Sequence, residues 1–210
     1  MHKHIGKYRN ASTNKIQDVW LHFVRGASAL SEYLSAGVEC YKDVFAGPPY
    51  FENYDGQEKD VIEPMFDDFA SNGILVFATA IIEPQKSEMV GFAASISADR
   101  SEVADFLRQH AHRLDAPIGN FLYMAEVAVR HEYRKQGLGS LFVHSRIEEA
   151  KTLHVGKFTH VLMRTAAEGS NSAGIYRKMG AKQIPELIQE KNDFGTKSTK
   201  RIFLSKPLNQ

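Results

Sequence analysis

Residues 126–140 read Glu-Val-Ala-Val-Arg-His-Glu-Tyr-Arg-Lys-Gln-Gly-Leu-Gly-Ser, an apolar strand that passes through a glycine-bearing turn into a helix. The start of a helix presents backbone N–H groups without intrahelical acceptors and carries about half a positive charge, which attracts phosphate. Gly137 and Gly139 lack the Cβ atom that would keep an anion away, and Arg134 and Lys135 add full positive charges. The segment predicts a pyrophosphate site. An ordinary tight strand-to-helix turn is the alternative, since two glycines two residues apart are common.

The glycine spacing separates this loop from other phosphate loops. A Gly-x-x-x-x-Gly-Lys-Ser/Thr pattern is absent from the sequence, and Gly137-Leu-Gly139 is not followed by the third glycine of a dinucleotide fingerprint. These two absences disfavour a nucleotide hydrolase and a Rossmann-type dehydrogenase.

Around this loop, the hydrophobic pattern predicts the mixed order of strands and helices that is typical of an α/β fold. An apolar strand, residues 19–25, precedes two amphipathic helices, residues 28–45 and 58–71. Two apolar runs, residues 74–82 and 89–97, flank a turn-forming segment and predict a hairpin. After a helical or irregular stretch at residues 101–114 come a strand at 121–129 and a long helix at 139–153. A strand at 159–165, a short helix at 172–179 and two closing strands at 182–189 and 200–204 complete the chain.

The domain organisation follows from length and from where the apolar pattern begins. The chain is long enough for one large domain, and no low-complexity linker divides it. Residues 1–18 are polar and show no clean period. The sequence therefore predicts an N-terminal extension over residues 1–18, followed by a single domain over residues 19–210.

Charge, cysteine content and hydropathy indicate the cellular setting. The 210 residues include 26 Lys and Arg and 25 Asp and Glu, so no global field favours nucleic acid or an anionic membrane. Cys40 cannot form an intrachain disulfide, and the chain opens with Met-His-Lys-His rather than a signal sequence. The longest apolar runs fall well short of the roughly 20 residues that a membrane helix needs. We expect a soluble cytoplasmic protein that binds neither nucleic acid nor a membrane.

The loop also carries a family resemblance. The pattern Arg134-x-x-Gly137-x-Gly139, preceded by a Val-Ala-Val strand, resembles the coenzyme A pyrophosphate loop of the GNAT superfamily of N-acetyltransferases. It is the strongest match in the chain.

A second segment resembles the same family. Residues 171–181 read Asn-Ser-Ala-Gly-Ile-Tyr-Arg-Lys-Met-Gly-Ala and are similar to the family's segment near the coenzyme thiol. The interval of four residues from Tyr176 to Gly180 agrees with the family. Asn171 precedes Tyr176 by five residues rather than the commoner seven, and Ala181 replaces the usual Phe.

The resemblance implies a fold, a cosubstrate and a set of binding residues. The fold is a mixed, mostly antiparallel sheet of about six to seven strands with helices on both faces, in which strands 4 and 5 splay apart. The cosubstrate is acetyl-CoA. In that family, backbone groups exposed by the splay hold the pantetheine arm, and Val127 and Val129 inherit this role, whereas a plain buried strand is the alternative. The expected coenzyme-binding residues are Val127, Ala128, Val129, Arg134, Lys135, Gln136, Gly137, Leu138, Gly139, Ser140, Asn171 and Tyr176.

Acetyl transfer to an amine needs a base, an oxyanion donor and an acid. A lysine-like amine has a pKa of about 10, so a base must remove its proton. Glu126 is the candidate base because it stands within an apolar strand, although a salt-bridged or solvent-facing glutamate is the alternative. The resemblance gives a backbone amide near Val127 the oxyanion role and Tyr176 the role of acid. The alternative for Tyr176 is a helical tyrosine whose ring faces the core.

The acceptor site should lie among the first two helices, their connection and residues 101–119. Tyr50 and Phe51 are the candidate substrate residues, and Tyr41 and Tyr54 extend the same aromatic set. Glu52 or Asp55 could attract a cationic amine, whereas the alternative is a turn plugged by core aromatics.

The sequence leaves three functions open. The first is an enzyme that acetylates a primary amine of a small molecule, and the second acetylates a protein lysine or N-terminus. The third is a non-catalytic coenzyme A binding or sensor domain, against which the presence of Glu126 and Tyr176 argues. No metal site is predicted, because the histidines lack ligand spacing. A homodimer is compatible with the sequence.

Overall fold

The computed structural model describes residues 2–47, 52–153, 156–168, 171–192 and 198–208. In these ranges the strands are β1 His2–Arg9, β2 Ile16–Val24, β3 Ile74–Glu83, β4 Lys86–Ser97, β5 Phe121–Val129, β6 His160–Ala166, β7 Lys182–Asn192 and β8 Ser198–Pro207. They form one sheet in the order β1-β2-β3-β4-β5-β6-β8-β7. β5 and β6 pair in parallel, whereas β1–β2, β2–β3, β3–β4, β6–β8 and β7–β8 pair antiparallel. The prediction of a mixed, mostly antiparallel sheet is confirmed.

The helices of the described ranges are α1 Gly26–Leu30, α2 Leu34–Ala46, α3 Glu63–Asn72, α4 Ala104–Gln109, α5 Leu138–Leu153 and α6 Asn171–Lys178. The first predicted helix, residues 28–45, is interrupted between α1 and α2, where Tyr33 N–H donates to Leu30 O at 2.9 Å and closes a turn. A single π-helical turn, Glu58–Ile62, precedes α3. None of the described helices combines the length and hydropathy needed to cross a membrane.

Strand β1 occupies the region for which the sequence predicts a polar extension. It pairs with β2 from His2↔His22 to Arg9↔Ile16. Its side chains are exposed or half-buried on both faces, so the apolar alternation by which a strand is recognised in a sequence is missing. This strand brings the described sheet to eight strands, where six to seven are expected from the sequence.

The chain divides into two compact units. The first comprises Met1–Ser95 and Glu126–Arg146, and the second comprises Ile96–Ala125 and Ile147–Gln210. The single domain over residues 19–210 stays a prediction.

In the first unit, an aromatic cluster forms the core beneath the candidate site. Phe66 of α3 packs edge-on against Phe77 of β3 and Phe92 of β4, with ring centroids 5.5 and 5.0 Å apart. Tyr41 of α2 stacks on Phe92 at 5.8 Å. These side chains are all buried, and offset and edge-to-face ring contacts add to the free energy of burial. The cluster therefore fixes the ring of Tyr41, and with it the position of its hydroxyl.

In the second unit, Glu102 links the segment that precedes β5 to strands β5 and β6. Glu102 Oε1 accepts hydrogen bonds from the hydroxyl of Tyr123 on β5 at 2.8 Å and from Nη2 of Arg164 on β6 at 2.9 Å. Phe106 of α4 stacks on Phe203 of β8 with centroids 5.4 Å apart. The predicted helical or irregular stretch is thus a short helix that packs on the sheet of its own unit.

Candidate active site

The loop between β5 and α5 alternates in backbone handedness. The φ angle is +62° at Lys135 and +91° at Gly137, and left-handed residues alternating in this way are typical of backbone nests that bind anions. Leu141 N–H donates to Gly137 O at 3.0 Å and opens the ladder of α5, so the amides of the first turn lack intrahelical acceptors. A Cβ atom added to Gly137 would meet no heavy atom within 4 Å. The space over Gly137 is therefore open, which is compatible with the predicted pyrophosphate site.

The β1–β2 hairpin holds this loop in place. Oε1 of Gln136 accepts from Arg9 N–H at 2.8 Å, and Nε2 of Gln136 donates to Arg9 O at 2.6 Å. The hydroxyl of the buried Tyr133 accepts a hydrogen bond from Asn10 Nδ2 at 3.2 Å. The side chain of Gln136 is thus bound to β1. The backbone N–H of Gln136 is left to donate to an anion. Sequence reasoning missed this support because residues 1–18 carry no apolar pattern.

The side chains of the two predicted cations of the loop, Arg134 and Lys135, are constrained to different degrees. Arg134 Nε donates to Val129 O at 2.8 Å, which holds its half-buried side chain against the end of β5. Lys135 is exposed. One positive charge is therefore fixed beside the strand, and the other can adjust to a bound phosphate.

The Val-Ala-Val segment of β5 is partly accessible. Ala128 is buried, whereas Val127 and Val129 are half-buried. The register of β5 with β6 ends at Tyr123↔Leu162, so these three residues lie beyond that ladder in the described part of the chain. A strand edge that leaves its ladder can pair with a peptide-like group such as pantetheine. That role for Val127 and Val129 stays a prediction.

The charge of Glu126, the candidate base, acts on two tyrosines. Burial, followed by the negative charge of Glu126, raises the pKa of Tyr41 far above its ordinary value. Burial and the hydrogen bond to Glu52 raise the pKa of Tyr54, and Glu126 adds to this shift. Both phenols are therefore neutral at physiological pH and act as hydrogen-bonding groups.

The predicted acceptor residues separate into two groups. Tyr50 and Phe51 lie outside the described residues. Tyr54 and Tyr41 meet edge-on at 5.2 Å, the Tyr41 hydroxyl donates to that of Tyr54 at 3.5 Å, and the Tyr54 hydroxyl donates to Glu52 Oε2 at 2.6 Å. Asp55 pairs with Lys42 at 2.9 Å. Of the two acidic candidates, Glu52 therefore lies with the tyrosines.

Arg146 of α5 is a site-adjacent residue that the sequence analysis missed. Its side chain is fully buried, and Nε donates to Phe142 O at 3.1 Å. Nη1 lies within hydrogen-bonding distance of Ala94 O, Ser95 Oγ (3.0 Å) and Glu126 O (3.2 Å). The available signal was its spacing: Arg146 stands four residues after Phe142, on the apolar stripe of the helix.

The profile of the acetyltransferase (GNAT) family matches residues 41–181. This range includes both motif segments and more than half of the 210 residues. The chain belongs to this family. It is therefore an acyltransferase that uses acetyl-CoA as cosubstrate and an amine as acceptor.

Solved structures of GNAT and other N-acetyltransferases share the fold at low identity. NAA60 from Arabidopsis thaliana in complex with acetyl-CoA gives a TM-score of 0.57 at 12% identity, covering 91% of this chain and 99% of that one. A ribosomal-protein-alanine N-acetyltransferase from Brucella melitensis gives 0.57 at 17%, covering 89% and 99%. An acetyltransferase of the GNAT family from Streptococcus pneumoniae gives 0.59 at 16%, covering 89% and 98%. At these identities the likeness shows the fold alone. No curated protein matches the sequence.

The second GNAT motif lies in the second unit. Asn171 is the first residue of α6, and Tyr176 is buried on the same helix. The helix ends where Gly180 adopts a φ of +87°, and Ala181 N–H then donates to Tyr176 O at 3.0 Å. This is a helix-ending arrangement that favours glycine, and it explains the interval of four residues. The roles of Asn171 and Tyr176 towards the coenzyme stay predictions.

Two other features bear on the chemistry. The described residues contain no group of three or more His, Cys, Asp or Glu side chains that could hold a metal ion. A cavity of about 560 Å³ in the second unit is lined by residues that include Arg113, Lys182 and Lys206, and by none of the predicted site residues. The candidate site therefore stays at the β5–α5 region, where Glu126 and the predicted loop residues lie.

Proposed function

We propose that this GNAT enzyme transfers the acetyl group of acetyl-CoA to a primary amine of a small molecule, by direct attack within a ternary complex. The observation that carries the proposal is the position of Glu126 on the strand that leads into the anion-binding loop, where its charge acts on Tyr41 and Tyr54. A carboxylate whose aromatic surroundings stay neutral attracts a protonated amine. A carboxylate in such surroundings can take up the proton that the amine must lose.

The residues of the first unit supply most of the steps. Glu126 accepts a proton from the ammonium group, directly or through water, and the freed lone pair forms a bond to the thioester carbonyl carbon. The carbonyl π electrons move to oxygen, where the Val127 N–H donates a hydrogen bond to the oxyanion. The oxygen electrons then re-form the carbonyl as the C–S bond breaks, and the electron pair of that bond leaves with sulfur. The nitrogen releases its remaining extra proton to solvent, which leaves a neutral amide, and the thiolate takes up a proton for which Tyr176 is the predicted donor.

The anion-binding loop fits the coenzyme on its own geometry. The amides of the first turn of α5 and the charges of Arg134 and Lys135 suit a pyrophosphate, and the open space over Gly137 leaves room for one. When bound, acetyl-CoA supplies the activated acetyl group. The loop holds the phosphates, and β5 orients the thioester next to Glu126.

Glu52 favours a small acceptor that carries a second cationic group. Its carboxylate accepts one hydrogen bond from Tyr54, and a carboxylate has further acceptor sites for an ammonium group. A diamine could therefore place one nitrogen at Glu126 and the other at Glu52. A protein lysine or N-terminus is the alternative acceptor, and the same assay separates the two.

The direct test measures thiol release from acetyl-CoA with a panel of acceptors. The panel contains aliphatic diamines, monoamines of equal length, a peptide with a free N-terminal alanine and a lysine peptide. We expect the highest kcat/KM with a diamine. Preferred turnover of either peptide would replace the small-molecule proposal. Binding of acetyl-CoA without turnover of any acceptor would point to a non-catalytic domain.

A further inference from the structure

The buried guanidinium of Arg146 touches the peptide group that contributes the proposed oxyanion donor. Nη1 of Arg146 lies 3.2 Å from the carbonyl oxygen of Glu126, which belongs to the same peptide group as the N–H of Val127. That group is planar and trans, so its C=O and N–H point in opposite directions. The Val127 N–H is therefore directed away from Arg146.

The other acceptors of Arg146 show towards which strand the Glu126 carbonyl points. The same Nη1 binds Ala94 O and Ser95 Oγ of β4, so the Glu126 carbonyl faces the side on which β4 lies. The Val127 N–H then points to the opposite edge of β5, four residues beyond Tyr123, where the register with β6 ends. An amide at that edge is available to an incoming ligand.

We propose that Arg146 is a positioning residue for acetyl transfer, which orients and polarises the Val127 N–H as the donor to the oxyanion. The proposal rests on the proposed function. A cation bound to a carbonyl oxygen withdraws electron density through the peptide group and makes the N–H a stronger donor, and such effects grow where the local dielectric constant is low. Arg146 thus acts on the reaction without contacting the substrate.

A second contact fixes the far end of the same segment. Arg130 N–H donates to Val90 O of β4 at 2.9 Å, four residues after Glu126. The stretch from Glu126 to Val129 is therefore held to β4 through Arg146 at one end and by a direct backbone hydrogen bond just beyond the other. A donor kept in place before the reaction stabilises developing charge without reorganisation during the reaction.

The competing explanation is a structural role alone, in which Arg146 merely satisfies buried carbonyls. The two explanations differ in what a substitution changes. A structural role affects stability and coenzyme binding together with turnover. A positioning role lowers kcat selectively, because the oxyanion forms only in the transition state.

The test compares Arg146→Gln with Arg146→Lys and with Val143→Ala. Val143 is buried on the same helix and serves as the matched packing control. For folded Arg146→Gln we expect kcat to fall by about 10- to 100-fold and the Kd for coenzyme A to change by less than about threefold. Arg146→Lys should recover part of the loss, since it keeps a charge and a donor. Val143→Ala should lower the melting temperature and leave kcat near the parent value.

A spectroscopic arm measures the Val127 amide by nuclear magnetic resonance, without an acceptor amine. Acetyl-CoA, but not coenzyme A, should move the Val127 amide proton downfield, and Arg146→Gln should shrink this difference. The proposal is overturned by parent-like kcat in folded Arg146→Gln, by a lysine variant as slow as the glutamine variant, or by equal losses of kcat in Val143→Ala. If Arg146→Gln does not fold, Arg146→Lys takes its place: we expect a lower kcat and a smaller acetyl-specific Val127 shift than in the parent, and parent-like values of both overturn the proposal.

The two arms separate this proposal from the function on which it rests. An enzyme that turns over no amine but shows an acetyl-specific Val127 shift that shrinks in Arg146→Gln keeps the role of Arg146 and loses the small-amine proposal. An enzyme that turns over amines without that shift keeps the function and loses the role of Arg146.

Discussion

At the scale of single residues, the proposed chemistry depends on the carboxylate of Glu126 and on two phenols that stay uncharged. Tyr41 and Tyr54 stay protonated because burial and nearby carboxylates raise the pKa of each phenol. Neither phenol is therefore expected to take a proton from an amine, which leaves Glu126 as the proposed base among the three. Its identity as a candidate could be predicted from the sequence, because a glutamate inside an apolar strand needs a cleft or a partner.

Glu126→Gln keeps the size of the side chain and removes the base. We expect kcat to fall by about 10²- to 10⁴-fold, the usual contribution of general base catalysis, while the Kd for coenzyme A changes little. Glu148→Gln, an exposed glutamate of α5 paired with Lys151, is the control and should keep parent activity. Steady-state kinetics with calorimetry measures both quantities. Parent-like kcat in Glu126→Gln would remove it from the mechanism.

Two substitutions of Gly137 separate its effect on backbone strain from its effect on coenzyme binding. Its φ of +91° strains any L-residue, so Gly137→Ala should lower the free energy of unfolding by about 1–2 kcal/mol. Its Cβ would enter open space, and coenzyme affinity should fall only moderately. Gly137→Trp fills the cradle and should abolish binding of coenzyme A in the folded protein. Calorimetry with coenzyme A checks this, and unchanged affinity in the tryptophan variant would show that the phosphates bind elsewhere.

At the scale of elements, the sequence predicted the strand, loop and helix of the site but not the strand that supports them. Gly137, Gly139 and the two cations mark the loop locally, because backbone freedom and charge are properties of the residues themselves. β1 is held by pairing with β2 and by the side chain of Gln136, which are contacts between residues distant in the chain. Arg146 was missed for the same reason, since its acceptors come from two strands.

The β1–β2 pairing should weaken in acid. Burial, then the positive charge of His2, lowers the pKa of His22 from 6.5 to about 4, and the rings meet at 2.6 Å between Nδ1 atoms. Since the unfolded chain takes up this proton first, the stabilisation is complete above about pH 6.5 and is lost as the pH falls towards 4. The partial exposure of the ring reduces this effect to about 1–2 kcal/mol.

Thermal melts between pH 7 and pH 4 measure this loss. His22→Gln removes the titrating group, so its melting temperature should depend less on pH in this window than that of the parent. His131→Gln, at an exposed histidine, should follow the parent curve. Identical slopes for the parent and His22→Gln would contradict the assignment.

At the scale of the whole molecule, ligand selectivity tests the family's cosubstrate in this chain. A ligand that binds the native state at 100 times its Kd stabilises it by about 2.7 kcal/mol. For a chain of 210 residues this corresponds to a rise in melting temperature of about 5–10 °C. Acetyl-CoA and coenzyme A should give this rise, whereas ATP and NAD should give much less. Equal shifts for all four ligands would indicate a nonspecific anion site.

The amide of Gln136 imitates a peptide group, because it offers β1 one donor and one acceptor as a neighbouring strand would. The N-terminal strand β1 consequently supports the predicted coenzyme loop, although its polar composition is typical of an unstructured N-terminal extension. Trimming the first fifteen residues, a routine step when a recombinant protein is shortened for crystallisation, would be expected to cost coenzyme affinity. A fusion tag placed before His2 would be the safer choice for work on this enzyme.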